Sequence, residues 1–87
     1  MTRSAALDSA EAGMRVNALV TGLIDTPLWR SAVQAHPEIE DRFLGQVPTG
    51  RPGAEEDVAA FAAFLLSDES GFVNGAALAV DGGFTAR

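Results

Sequence analysis

Two short apolar runs constrain this chain most: Arg15-Val16-Asn17-Ala18-Leu19-Val20 and Ala76-Ala77-Leu78-Ala79-Val80. Both are mostly apolar on either face, the pattern of a parallel strand covered on both sides rather than of a half-exposed antiparallel one. Helical stretches lie between them. Strands separated by helices specify an α/β arrangement with a parallel sheet and right-handed crossovers. Two strands are too few for a finished sheet of that kind, so the pattern describes one part of an α/β unit.

The remaining elements follow from periodicity and punctuation. Residues 4–12 are predicted helical, with Ala6, Leu7 and Ala10 at three- and four-residue steps and Gly13 ending the run. Thr21-Gly22 breaks the first strand. Thr26 then caps a helix whose first position suits Pro27. Leu28, Trp29, Ala32, Val33 and Ala35 give that helix its apolar side, and Pro37 stops it. Residues 38–44 form a second short helix, with Ile39 and Phe43 four apart and Gly45 after it. Residues 47–53 carry two prolines and two glycines and form a loop. Residues 54–66 are the clearest helix: Glu55, Glu56 and Asp57 sit where the helix dipole favours acids, and Val58, Phe61, Ala62, Leu65 and Leu66 make the apolar stripe. Residues 67–75 are a polar turn with Phe72 and Val73 expected to be buried in it. Asp81-Gly82-Gly83 ends the second strand.

Composition narrows the function classes. At 87 residues the chain holds at most one ordinary domain. A domain this small buries only about 60 % of its unfolded surface and lacks disulfides here, so support from a partner chain or from further sequence is expected. There is no cysteine, hence no thiolate zinc site. The longest apolar run, nine residues over 58–66, is half a membrane span at best, and no membrane partner is expected. Six arginines against twelve acids give a net charge of −6, which argues against nucleic acid as a partner. Asp8 follows Met1 too closely for a secretory leader, so a cytoplasmic location is expected. The chain has no lysine and no tyrosine. Any mechanism needing a phenol or an amine must find it outside these residues.

Some chemically suggestive groups carry no chemistry. His36 precedes Pro37 with no second histidine and no nucleophile arranged beside it. Glu55, Glu56 and Asp57 read as dipole compensation rather than a metal cluster. Glu38, Glu40 and Asp41 read as a solvated face. Residues 71–75 are not a phosphate loop, because no Gly-Lys-Ser/Thr follows. No catalytic residue and no metal ligand is therefore assigned.

Several motifs taken in order resemble the short-chain dehydrogenase/reductase family. Residues 2–8, followed by Gly13-Met14-Arg15-Val16-Asn17-Ala18, resemble the stretch after that family's active-site Tyr-x-x-x-Lys. Thr21-Gly22-Leu23-Ile24-Asp25-Thr26-Pro27 looks like its Pro-Gly-x-Ile-x-Thr cofactor loop, with Thr21 where the family usually has Pro. Pro48-Thr49-Gly50-Arg51-Pro52-Gly53, with Glu55-Glu56-Asp57-Val58-Ala59, resembles the run leading into its late helix. Residues 64–70, Asn74-Gly75 and Val80-Asp81-Gly82-Gly83 are similar to its closing helix, turn and last strand.

The resemblance covers only the C-terminal third of such an enzyme. It implies that residues 1–87 are the C-terminal portion of a single Rossmann-like, doubly wound parallel domain, and that Met1 is an internal residue of a longer reading frame. The glycine-rich loop and the catalytic Ser, Tyr and Lys are absent from these residues. In the intact enzyme the resemblance implies ketone/alcohol interconversion by hydride transfer with NAD or NADP, the Tyr moving a proton at the substrate and the Lys lowering its pKa. Thr21, Gly22, Ile24 and Thr26 would then sit beside the nicotinamide. Residues 27–50 would be the variable substrate lobe, with Trp29, Val33 and Phe43 as its apolar wall over a small carbonyl or alcohol substrate. Residues 55–66 and 76–81 would pair across a two-fold axis in a homo-oligomer, with Phe61, Phe64, Leu65, Phe72 and Leu78 supplying the surface. The 87-residue chain alone is expected to be inactive. The alternative is a non-catalytic fragment or interaction module that associates through its late helix and last strand, which an ordered, dimeric isolated chain would favour.

Overall fold

The structure, a computed structural model, describes residues 1–86. Helix α1 (Thr2–Ser9) runs into a 3₁₀ turn (Ala10–Ala12) that ends at Gly13, whose φ of 79° is left-handed, a conformation open to glycine without strain. Strand β1 (Ala18–Thr21) follows, then helices α2 (Pro27–Ala35), α3 (Glu38–Leu44) and α4 (Glu55–Leu65). A 3₁₀ turn (Asp68–Ser70), strand β2 (Ala77–Val80) and a last 3₁₀ turn (Phe84–Ala86) complete the order. The two strands pair in parallel, from Ala18 opposite Ala77 to Thr21 opposite Val80. The chain is thus an α/β unit with an open two-stranded parallel sheet, as the two apolar runs require.

Helix α2 forms where its capping residues place it. Thr26 Oγ1 accepts from the Trp29 N–H at 3.2 Å, and Pro27 opens the first turn. Trp29, Ala32 and Val33 form its half-buried side, whereas Leu28, expected among them, is 82 % exposed. In α4, Val58, Phe61, Ala62 and Leu65 face inward as the spacing predicts, but Leu66 lies beyond the last turn and is exposed.

The first strand is shorter than expected, because residues 15–17 bond across to the 67–76 segment through side chains. The Val16 N–H donates to Asn74 Oδ1, Asn17 Nδ2 donates to the Val73 carbonyl, and Asn17 Oδ1 accepts from the Ala76 N–H, each at 3.0 Å. The Phe72 expectation is also overturned: Ser70 is the buried residue of that turn, its hydroxyl donating to the Leu65 carbonyl at 2.9 Å, and the chain turns Phe72 fully outward. Leu65 is buried too, so it belongs to the small core rather than to the outer surface.

That core is thin. Among the described residues only Ala6, Val47, Leu65 and Ser70 are buried. The radius of gyration is 15.9 Å, against about 12 Å for a compact domain of this length. The accessible surface is 6276 Å², about 1,400 Å² above that of a compact monomer of the same mass. Met14, Leu28, Phe64, Leu66 and Phe72 contribute exposed apolar area. No helix among the described residues is long and apolar enough to cross a membrane.

Candidate functional site

Parallel strands deliver their carboxyl ends to one edge, and in open α/β sheets ligands bind outside that edge. Here Thr21 and Val80 end β1 and β2 side by side. The segments that leave them, 22–26 and 81–83, are joined at once: the Gly22 N–H donates to the Val80 carbonyl at 3.0 Å. A β-carbon on Gly22 would stand 2.8 Å from the Asp81 Cβ, so this close approach to Asp81 is what requires glycine.

Asp81 in turn organises the segment after β2. Its carboxylate accepts from the Thr85 hydroxyl at 2.6 Å, the Gly83 N–H at 3.0 Å and the Thr85 N–H at 3.2 Å. The Thr85 hydroxyl foremost, with the backbone donors, holds the Asp81 carboxyl below its ordinary pKa despite some opposing desolvation.

The 22–26 loop is stapled a second time. The Gly53 N–H donates to the Leu23 carbonyl at 2.8 Å, and the Asp25 N–H donates to the Gly53 carbonyl at 2.7 Å. This is a parallel bridge between Ile24 and Gly53. In such a bridge the bonded groups belong to the residues flanking Ile24, so the N–H and C=O of Ile24 itself point to the opposite edge. Neither has a partner among the described residues. A donor and an acceptor, three bonds apart on a clamped backbone, match the donor and acceptor of a primary carboxamide.

The four loop residues predicted from sequence come together. Thr21, Gly22, Ile24 and Thr26 line one open groove of about 530 Å³, whose other wall is Glu55, Val58 and Ala59 of α4. Thr26 serves as helix cap and groove residue at once: its oxygen accepts from the Trp29 N–H, and the residue lines the groove.

The lobe residues are only partly brought together. Trp29 and Phe43 pack edge to face, ring centroids 6.0 Å apart, and so join α2 to α3. Trp29 and Val33 line a separate open groove with Arg30 and Leu44. Phe43 lies on the other side, in a pocket of about 370 Å³ shared with Thr21, Gly22 and Phe84. Of these three, Phe43 shares its pocket with Thr21 and Gly22, whereas Trp29 and Val33 meet the loop after β1 at Asp25.

Sequence reasoning missed three polar residues. Arg15 donates to the Leu65, Ser67 and Val73 carbonyls and to Ser70 Oγ, at 3.0–3.2 Å, tying the end of α4 to the start of β1. Asp57 accepts from the Ala54 N–H at 2.8 Å and from Arg51 Nη1 at 3.4 Å. The Ala54 bond first, then Arg51, holds its carboxyl below the ordinary value. Asp81 is the third. An arginine at the head of an otherwise apolar strand and an acid at the third position of a helix were the available signals.

The fold and the groove at its strand ends define a piece of an open parallel α/β unit. The chain belongs to the short-chain dehydrogenase/reductase family: the family model for enoyl-(acyl carrier protein) reductase matches residues 1–85. It is 44 % identical over 89 residues to 2-(S)-hydroxypropyl-CoM dehydrogenase 3 of Xanthobacter autotrophicus, covering 99 % of this chain and 35 % of that one. A short-chain dehydrogenase family protein from Francisella tularensis superimposes with a TM-score of 0.90 at 35 % identity, covering 100 % of this chain and 39 % of that one. ElxO with NADP bound does so with a TM-score of 0.90 at 29 % identity, covering 99 % and 35 %. The chain therefore spans about a third of the length of the relatives it matches.

Proposed function

We propose that this chain forms the nicotinamide and substrate wall of an NAD(P)-dependent oxidoreductase that interconverts ketones and alcohols. The observation that supports this most is the convergence of Thr21, Gly22, Ile24 and Thr26 on one groove, with the backbone donor and acceptor of Ile24 unpaired. NAD or NADP, when bound, supplies the hydride chemistry. Ile24 N–H and C=O hold the carboxamide and so select one face of the ring. The Thr26 hydroxyl donates to the carboxamide or to a phosphate. Gly22 keeps the loop seated on Asp81. Trp29, Val33 and Phe43, within lobe 27–50, form the apolar wall, with Phe43 nearest the reacting end.

In this reading residues 1–87 are the C-terminal portion of a single Rossmann-like domain, working in the cytoplasm with a small-molecule substrate and no nucleic acid. These residues include no tyrosine or lysine, so proton transfer to or from the substrate falls to groups outside them. The exposed Phe64, Leu66 and Phe72 support association through residues 55–66 and 76–81 in a homo-oligomer. The same exposure favours the second reading, a non-catalytic module that binds through this face.

Segment exchange tests the first reading. This chain replaces the matching third of a relative whose NADPH-dependent ketone reduction is measurable. Retained reduction in the exchanged enzyme, with none from the 87-residue chain alone, is expected. A folded but inactive exchange, or an active isolated chain, contradicts it.

A further inference from the structure

The loop that presents Ile24 has one local side-chain contact, Arg30 Nε donating to Asp25 Oδ1 at 2.9 Å, but the backbone of its 23–25 stretch is not held by neighbours in sequence. It is held by Gly53, and Gly53 lies in a turn whose two ends meet one carboxylate. Asp57 Oδ2, from the first turn of α4, accepts from the Ala54 N–H on one side of Gly53 at 2.8 Å and from Arg51 Nη1 on the other at 3.4 Å. Arg51 Nη1 also donates to the Pro52 carbonyl at 3.1 Å, which closes the turn on itself. From the middle of that turn Gly53 makes the two bonds that clamp Leu23 and Asp25. Its approach is close: a β-carbon at position 53 would lie 3.0 Å from Ile24 Cδ1 and 3.9 Å from Asp57 Oδ2.

We propose that Asp57 is a positioning residue: through the 51–54 turn and the Gly53–Ile24 bridge it holds Ile24, a groove residue, with its free N–H and C=O turned away from Gly53. The proposal rests on the cofactor-groove reading above for its purpose, but the latch itself is a property of this chain. Asp57 also caps α4. A cap alone steadies the first-turn amides of α4 and nothing else, whereas the latch extends to Asp25, which is 32 residues earlier in the sequence. Glu56, beside Asp57 in the same first turn, is exposed and lies outside this hydrogen-bonded turn, so it serves as a control for helix-dipole charge.

The test is amide hydrogen exchange on the full 87-residue chain. In the parent, the Asp25 and Gly53 amides are protected. Asp57→Ala speeds both by on the order of tenfold, the scale of a lost side-chain cap. The Ala18 and Gly22 amides, bonded to Ala76 and Val80, keep their rates. Asp57→Asn keeps an oxygen for the Ala54 N–H without the charge, and gives an intermediate rate. Glu56→Ala leaves the Asp25 and Gly53 amides unchanged. The proposal is overturned if the Asp25 and Gly53 amides of the parent exchange at unfolded-chain rates. It is equally overturned if Asp57→Ala accelerates only α4 amides, or accelerates the strand amides as much as Asp25. A parallel titration with nicotinamide separates the two claims. A localised exchange effect with no shift of the Ile24 amide on adding nicotinamide sustains the latch and contradicts the cofactor reading.

Discussion

Gly22 and Asp81 sit in backbone contact at the carboxyl ends of the two strands, with the Asp81 Cα only 2.9 Å from where a β-carbon of residue 22 would stand. The neighbouring atom is main chain, so it cannot swing aside. Gly22→Ala is therefore expected to destabilise the chain by about 1–3 kcal/mol, the usual range for forcing extra volume into a packed site. A denaturant midpoint indistinguishable from the parent's would show that the strand ends separate easily.

Arg15 is the second anchor. Its guanidinium joins β1's leading segment to the α4 terminus and to the turn before β2, each bond spanning 50 or more residues of sequence. Hydrogen bonds to a charged group are worth more than neutral ones, and removing the donor leaves partly buried carbonyls unmet. Arg15→Met, which keeps the aliphatic length, is expected to cost about 2–4 kcal/mol by chemical denaturation, with faster exchange at the Val73 and Ala76 amides.

Stability should fall on acidification through two carboxylates. Asp81, held low chiefly by Thr85, and Asp57, held low chiefly by the Ala54 N–H, both titrate below their ordinary value of 3.8 when folded. The unfolded chain takes up those protons first as the pH drops, so the stabilisation is complete above the ordinary carboxylate range and lost as pH falls through the lower folded values. Thr85→Val removes the largest contribution at Asp81 and should flatten the loss of melting temperature below about pH 4. An unchanged acid limb would contradict the Asp81 assignment.

How much of this was legible in the sequence depended on range. Helices α2 and α3 were readable to the residue at their starts, because Thr26-Pro27 and Pro37 act on adjacent backbone. Gly13 was legible as a helix end for the same reason. The start of β1 was not, because the Asn17 and Asn74 side chains each bond backbone groups of the facing segment, and only the fold brings those segments together. Phe72 was expected inside on hydropathy. The Ser70 hydroxyl took that place through its bond to Leu65, a contact set by where α4 ends. In the candidate site, the resemblance singles out Thr21, Gly22, Ile24 and Thr26, and these four line one groove. The bridge to Gly53 and the seat on Asp81 were not legible, since each joins residues 29 or more apart.

The uncovered apolar face makes its own prediction. Phe64, Leu66 and Phe72 lie exposed at and just beyond the end of α4. The isolated chain is expected to self-associate in sedimentation velocity, and Leu66→Ser with Phe72→Ser to shift it toward monomer. A parent that is monomeric at high micromolar concentration would remove residues 55–66 and 76–81 as an oligomer contact.

The central claim is that the unpaired N–H and C=O of Ile24 hold the nicotinamide. Ile24→Pro deletes that N–H while leaving the Gly53 bridge, which uses only Leu23 and Asp25, and proline is tolerated where a strand residue's N–H points away from its partner. The direct measurement is the KM for NADPH of the segment-exchanged enzyme with and without Ile24→Pro. Loss of one hydrogen bond predicts a rise of about tenfold, with the melting temperature held. An unchanged KM in a folded enzyme would contradict the claim.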